Sequence, residues 1–225
     1  MATRNPPTFP RLHPSAILLA AQLTFLVLYA AFDGLPVERS LISAFNVIVL
    51  VLRLWVIKRS PAVDWVAWLL AVPAFVLSLL SAANPHLLIL ASSTLVEAAL
   101  YFYAAASMIA YMMEDNEVTT DELFAAGATF TLLAWGFAHL FLACQELLPG
   151  SFLNTVSSRD SLTFIELLFL SFTNLSATGL SDIVPVSTAA RILLMLEQFS
   201  GVAYVAVVVS RLVGLTLQRQ SRRRP

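Results

Sequence analysis

Charge is scarce in this 225-residue sequence: 12% of its residues are Asp, Glu, Lys or Arg, 59% are apolar, and mean hydropathy is +0.81. That balance excludes an ordinary soluble domain and points to an integral membrane protein. Cysteine is almost absent. The lone Cys144 has no internal disulfide partner, and its setting in "GFAHLFLACQ" suits a buried, packed thiol, so redox chemistry is not expected. Histidine is scarce as well: His13, His86 and His139 are scattered through tail, loop and apolar run, with neither a His-Glu metal motif nor a Gly-Lys phosphate loop. Without converging catalytic groups the chain is not expected to be an enzyme, and no resident cofactor or nucleic-acid partner is expected. His139, on an apolar helix, reads first as a packed or hydrogen-bonded residue. A cleavage signal is missing too. "MATRNPPTFPRLHPSA" places two arginines and four prolines ahead of the first apolar run, with no small-residue site soon after it, so the first span is read as uncleaved.

Long apolar runs are what the sequence has in abundance. A helix needs about 20 apolar residues to cross a hydrocarbon layer of roughly 30 Å. Candidates fall at 15–33, 41–57, 63–82, 86–113, 121–147 and 188–216, divided by turn-forming segments such as "DGLPVERS" and "NPH". All six are expected to be helices. Between the fifth and sixth lies "TFIELLFLSFTNL", too short to span and better suited to a re-entrant helix. Thr163 followed by Glu166 makes a capping-box pattern at its start. The fold expected is therefore an all-α membrane protein of six transmembrane helices, with a re-entrant pore helix and loop between helices five and six.

Lys and Arg set the orientation. With a cytoplasmic N-terminus, the inner segments hold Arg4, Arg11, Lys58, Arg59, Arg219, Arg222, Arg223 and Arg224, and the outer ones only Arg39 and Arg159. Both termini are expected inside a multi-pass cell-membrane protein. The loop "EDNEVTTDE" has no Lys or Arg and adds no support, although Asp121 and Glu122 suit the first turn of the fifth helix, where the macrodipole favours anions. The division that follows is a tail at 1–14, a four-helix N-terminal membrane domain at 15–113, a pore domain at 121–217 and a basic tail at 218–225. "RQSRRRP" in that tail serves topology and contact with anionic lipids.

A short helix that ends inside a bilayer needs protein or cavity water to satisfy its backbone, so the loop "SATGLSD" at 176–182 is expected to line an aqueous path. Backbone carbonyls turned toward one axis can replace a cation's hydration shell, and glycine eases that turn. Here the residues resemble the pore module of tetrameric potassium channels, of the two-transmembrane "ion channel" type. "LFLSFTNLSATGLSDIVPVSTAARILLMLEQFSGVAYVAVVVSRLVGL" looks like that family's pore helix, filter, exit turn and inner helix. The likeness covers about 160–216, with the fifth span as outer helix. It rests on Gly179 and Asp182 of the filter, the exit sequence "DIVPV", Arg191 at the start of the inner helix, and Gly201 at the family's frequent hinge position.

What the resemblance implies is a homotetramer with one central pore, filter oxygens from Ser176, Ala177, Thr178, Gly179, Leu180 and Ser181, and a ring of Asp182 carboxylates at the outer mouth. Asp182 is equally suited to capping the exit turn. Departures from the family's T-V-G-Y-G-D are plain. Ala177 removes a hydroxyl from the innermost site, Thr178 replaces valine, Leu180 cannot brace the filter as a tyrosine does, and Ser181 stands where a second glycine is usual. A non-glycine at positive φ costs about 1–2 kcal/mol, so at Ser181 either the strain is tolerated or the outer mouth relaxes, and Ser181→Gly is expected to raise potassium over sodium selectivity. The function implied is a monovalent cation channel, potassium first and sodium second. The alternatives are a weakly selective cation channel and a non-conducting regulatory subunit.

Other charges are read from depth. Glu197 lies two turns into the sixth helix and is assigned a structural hydrogen-bonding role with Glu166, Arg191 and Gly201 as supports of the pore helix and inner helix. Arg191 either pairs with an acidic neighbour or marks the helix start. Arg53 and Glu97 fall at similar depth on inward-running helices and are expected to form a buried ion pair. Asn46, Ser92, Ser93 and Thr94 read as helix-to-helix hydrogen-bonding groups. The fourth span has no Arg or Lys, so gating by an arginine voltage sensor is not expected. A carrier would show paired repeats with interrupted helices, and no internal repeat is apparent.

Overall fold

Two local signals start the longest-buried helix. Thr119 accepts from the Glu122 amide at 3.3 Å while the Glu122 carboxylate accepts from the Thr119 amide at 3.2 Å, closing a capping box. The helix then runs from Thr120 to Leu147. In the computed structural model, which describes residues 14–32, 64–83, 86–114, 119–156 and 161–222, this is α4. The full order is α1 (Pro14–Phe32), α2 (Asp64–Ala83), α3 (Leu87–Met113), α4 (Thr120–Leu147), β1 (Phe152–Asn154), α5 (Phe164–Leu175), β2 (Ile183–Pro185) and α6 (Thr188–Arg222).

Helices stand where five of the six long runs and the short one were expected. The run at 41–57, and with it Asn46 and Arg53, lies outside the described residues. Three helical segments, Leu87–Met113, Thr120–Leu147 and Thr188–Arg211, are long and apolar enough to cross a membrane, while Pro14–Leu28, Trp65–Ser81 and Phe164–Leu175 are shorter apolar helices. The chain is a predominantly helical membrane protein. Two details lie beyond the expected helices. β1 and β2 pair antiparallel, Phe152 opposite Pro185 and Asn154 opposite Ile183, and α6 continues to Arg222, into the basic segment read as a tail.

α4 is the hub. One core joins Leu18 and Phe25 of α1, Tyr101 and Met108 of α3, Leu132 and Trp135 of α4, Leu167 and Leu170 of α5, and Leu194 of α6. Polar contacts fix the register of α1 on α4: Ser15 donates through amide and hydroxyl to Asp121, and the Thr131 hydroxyl donates to Gln22 at 2.5 Å. Tyr111 of α3 donates to the same Asp121. Cys144 is buried and free, as its apolar setting implied.

Candidate functional site

α5 begins with the capping box anticipated at Thr163 and Glu166. The Glu166 carboxylate accepts from the Thr163 amide at 2.7 Å, and its other oxygen accepts from Asn154 at 3.3 Å, tying β1 to the helix start. A second clamp was not legible in the sequence: the Gln145 side chain both donates to the Leu162 carbonyl (3.0 Å) and accepts from the Leu162 amide (2.9 Å). The beginning of α5 is thus bound to the end of α4.

At the other end, the loop after α5 folds back onto the helix. The Ala177 amide donates to the Asn174 carbonyl at 3.0 Å, and the amides of Thr178 and Gly179 donate to the Thr173 carbonyl at 3.0 and 2.9 Å. In a trans peptide the N–H and C=O point in opposite directions. Three inward amides therefore turn three successive carbonyls, those of Ser176, Ala177 and Thr178, away from α5, on the side where residues 176–180 are exposed. Holding them there requires left-handed backbone at alternate positions: Ala177 has φ +58° and Gly179 φ +65°. The C-terminal end of α5, with its partial negative charge, lies directly behind.

Of the two alternatives at Ser181 the relaxed one is found, and the left-handed position falls at Ala177. Among the described residues Ala177 is the one non-glycine at positive φ, and Ser181 is not strained. Ser181 instead uses its hydroxyl to accept from the Ile183 amide at 3.1 Å, and its amide donates to the Gly179 carbonyl at 3.1 Å. Family spacing suggested Ser181, but the fold-back onto α5 moves the left-handed residue to Ala177. Ser181, not Asp182, caps the exit turn, and no hydrogen bond to the Asp182 carboxylate is present among the described residues. The Asp182 carbonyl accepts from the Thr155 amide (2.8 Å) and hydroxyl (2.9 Å), anchoring the loop exit to the β1 side. Leu180 is 76% exposed.

α6 starts with the Ser187 hydroxyl accepting from the Ala190 amide, and Arg191 donates to the Pro185 carbonyl at 3.3 Å. Arg191 thus marks and staples the helix start. Below it, the buried stripe Leu194, Glu197, Gly201, Tyr204 and Val208 follows alternating steps of three and four, one face of a helix. Glu197 is fully buried and hydrogen-bonds the Ser171 hydroxyl of α5, which also donates to the Ala134 carbonyl of α4 at 2.8 Å. A Cβ on Gly201 would meet the Leu175 carbonyl oxygen at 2.1 Å, so glycine here permits backbone-to-backbone approach. Tyr204 donates to the Ala126 carbonyl at 2.6 Å, and Arg211 lies 3.5 Å from Glu122. Sequence reasoning missed Ser171, Asn174, Thr155 and Gln198. A hydroxyl or amide on an otherwise apolar helix was the available signal.

Away from the loop, Glu97 of α3 faces His139 of α4 at 3.4 Å, and His139 stacks on Tyr101 at 5.1 Å and lies 4.7 Å from the Phe164 ring. A cavity of about 190 Å³ adjoins them, with Ser78, Ser93 and Thr94 in its wall. Thr94 donates to Glu146 at 3.2 Å, the helix-to-helix role expected of it. The partner expected for Glu97, Arg53, is outside the described residues.

The model of a family described as "Ion channel" matches residues 128–218, from within α4 through most of α6. The match takes in the whole loop and supports an ion channel. No curated protein and no solved structure matches the chain.

Proposed function

We propose that this chain is the subunit of a homotetrameric channel that conducts monovalent cations, potassium ahead of sodium, through a pore lined by residues 176–181. One observation carries the reading: the Ala177, Thr178 and Gly179 amides all donate back to the last turn of a short apolar helix, which directs the carbonyls of the same peptides away from it. Carbonyl ligation is independent of side chains, so Ala177 and Thr178 serve where other residues are usual. Asp182, with its side chain left out of the turn, supplies the negative outer mouth. The distribution of Lys and Arg supports both termini in the cytoplasm, with the basic C-terminal segment meeting anionic lipid. Glu166, Arg191, Glu197 and Gly201 hold the loop in place. Arg53 and Glu97 form a structural ion pair away from it, to be tested by whether Arg53→Glu with Glu97→Arg folds better than either single change.

A second reading has its own support. The Gly179 carbonyl, next after the row, already accepts from the Ser181 amide, which makes it a weaker ligand and favours either weak selectivity or a silent regulatory subunit. Purified protein in planar bilayers under opposed potassium and sodium gradients decides between them. A reversal potential near the potassium equilibrium value is expected. A value midway between the two makes the pore weakly selective, and no conductance under any stimulus favours the silent subunit. Activation should show little voltage dependence; a curve carrying several elementary charges would defeat the absence of a sensor.

A further inference from the structure

α6 grips the last turn of α5 at three points. Two lie on the buried stripe: Glu197 on Ser171, and Gly201 against Leu175. The third lies on the exposed flank of α6, where the Gln198 side-chain amide donates to the Asn174 side-chain oxygen at 3.1 Å. Asn174 is 6% exposed, and its own amide nitrogen donates to the Leu170 carbonyl at 2.8 Å. That bond settles which way the Asn174 amide faces, leaving the oxygen for Gln198. The backbone carbonyl of Asn174 receives the Ala177 amide, and the neighbouring Thr173 carbonyl receives Thr178 and Gly179. Asn174 is thus part of the platform on which the loop's amides rest, and Gln198 is a lateral hold on it from a different helix.

We infer that Gln198 is a positioning residue for the 176–181 loop, acting through Asn174 to set which monovalent cation passes. The inference rests on the channel reading proposed above. Both partners are neutral, so the contact supplies position and not charge. A shift of the platform moves the Ser176, Ala177 and Thr178 carbonyls together, because their peptides hang from adjacent carbonyls of the same turn. Removing Gln198 leaves the buried stripe whole, so the variant is expected to fold.

The test is a double-mutant cycle read as a permeability ratio. Gln198→Met preserves side-chain bulk and lacks the donor, and Asn174→Ala removes the acceptor. In bilayers under bi-ionic potassium and sodium, Gln198→Met should change the permeability ratio by about threefold or more, and in the Asn174→Ala background it should change nothing further. Its thermal unfolding midpoint should stay within about 2 °C of wild type. An unchanged ratio overturns the inference, as does an equal shift in the Asn174→Ala background, which would mean that Gln198 acts on the ion directly. A drop in melting temperature with the ratio constant assigns a merely structural role and overturns it too. No current from the wild-type protein overturns the channel reading and this inference together, whereas current with an insensitive ratio overturns this one alone.

Discussion

α4 and α6 are both long enough to cross a membrane, yet 78% of the most apolar stretch of α4 is buried within the chain and only 28% of that of α6. The difference is not one of hydrophobicity, since α6 has the higher mean hydropathy, 2.0 against 1.5. α4 is covered because α1, α3, α5 and α6 all pack on it; α6 is fastened along one narrow stripe, and Met195, Phe199, Val202 and Val209 are left facing outward. A helix so apolar and so little covered is built to be finished by something outside the single chain. α4 is a scaffold, and α6 is an attached element.

The sharpest way to break the comparison is to attack the fastening of α6. Gly201→Ala puts a methyl carbon into the Leu175 carbonyl and should destabilise by about 3 kcal/mol or more, read as a fall in melting temperature in detergent or as loss of folded protein. Gly214→Ala, where nothing lies within 4 Å, is the control on the same helix and should be neutral or stabilise by up to about 1 kcal/mol. Equal effects at the two glycines would mean that α6 is not held at Gly201. Next in size is Ser171→Ala, which strips the hydrogen-bond partner from a fully buried Glu197 and should cost about 2 kcal/mol in the same melt. Glu197→Gln, which keeps a group able to bond the hydroxyl, should cost less.

Smaller effects sharpen the picture at the two ends. Ala177→Gly relieves a left-handed alanine and should stabilise the loop by about 1 kcal/mol, while Ser181→Gly relieves nothing and removes the Ile183 cap. The ordering Ala177→Gly above Ser181→Gly, in both stability and potassium over sodium selectivity, is the expected result; the reverse ordering would restore strain at Ser181. At the other end, Glu122→Gln spares the capping box but takes the charge from a contact with Arg211 whose side chains are 4% and 14% exposed. It should cost about 1–2 kcal/mol, measured as an unfolding shift that changes little with salt, because a buried pair is poorly screened.

Local features are legible in the sequence alone. Apolar length marked the helices to within a residue or two at most ends, and Thr163 with Glu166 announced a cap, because both depend on neighbours in sequence. Pairings across distance were not. Ser171 meets Glu197 across 26 positions and Thr155 meets Asp182 across 27, and no periodicity encodes such partners. The β1–β2 pair escaped notice because three-residue strands leave no alternating pattern. The left-handed position was misplaced for a subtler reason. Spacing carried over from a related motif locates residues along the chain, whereas the sign of φ is decided by where each amide finds its acceptor, and here that acceptor is the last turn of α5.

The close approach at Gly201 has a mechanical side. A rod pinned near its middle pivots there, and α6 extends about 20 Å from Gly201 to Thr188 and about 32 Å from Gly201 to Arg222. The N-terminal arm is short and stapled by Arg191 to Pro185; the C-terminal arm is longer and is held by Tyr204 and by Arg211. A small rocking of this lever sweeps its C-terminal tip through an arc about 1.6 times that of its N-terminal tip, so the fulcrum magnifies motion where the hold is lightest and damps it beside the 176–180 loop.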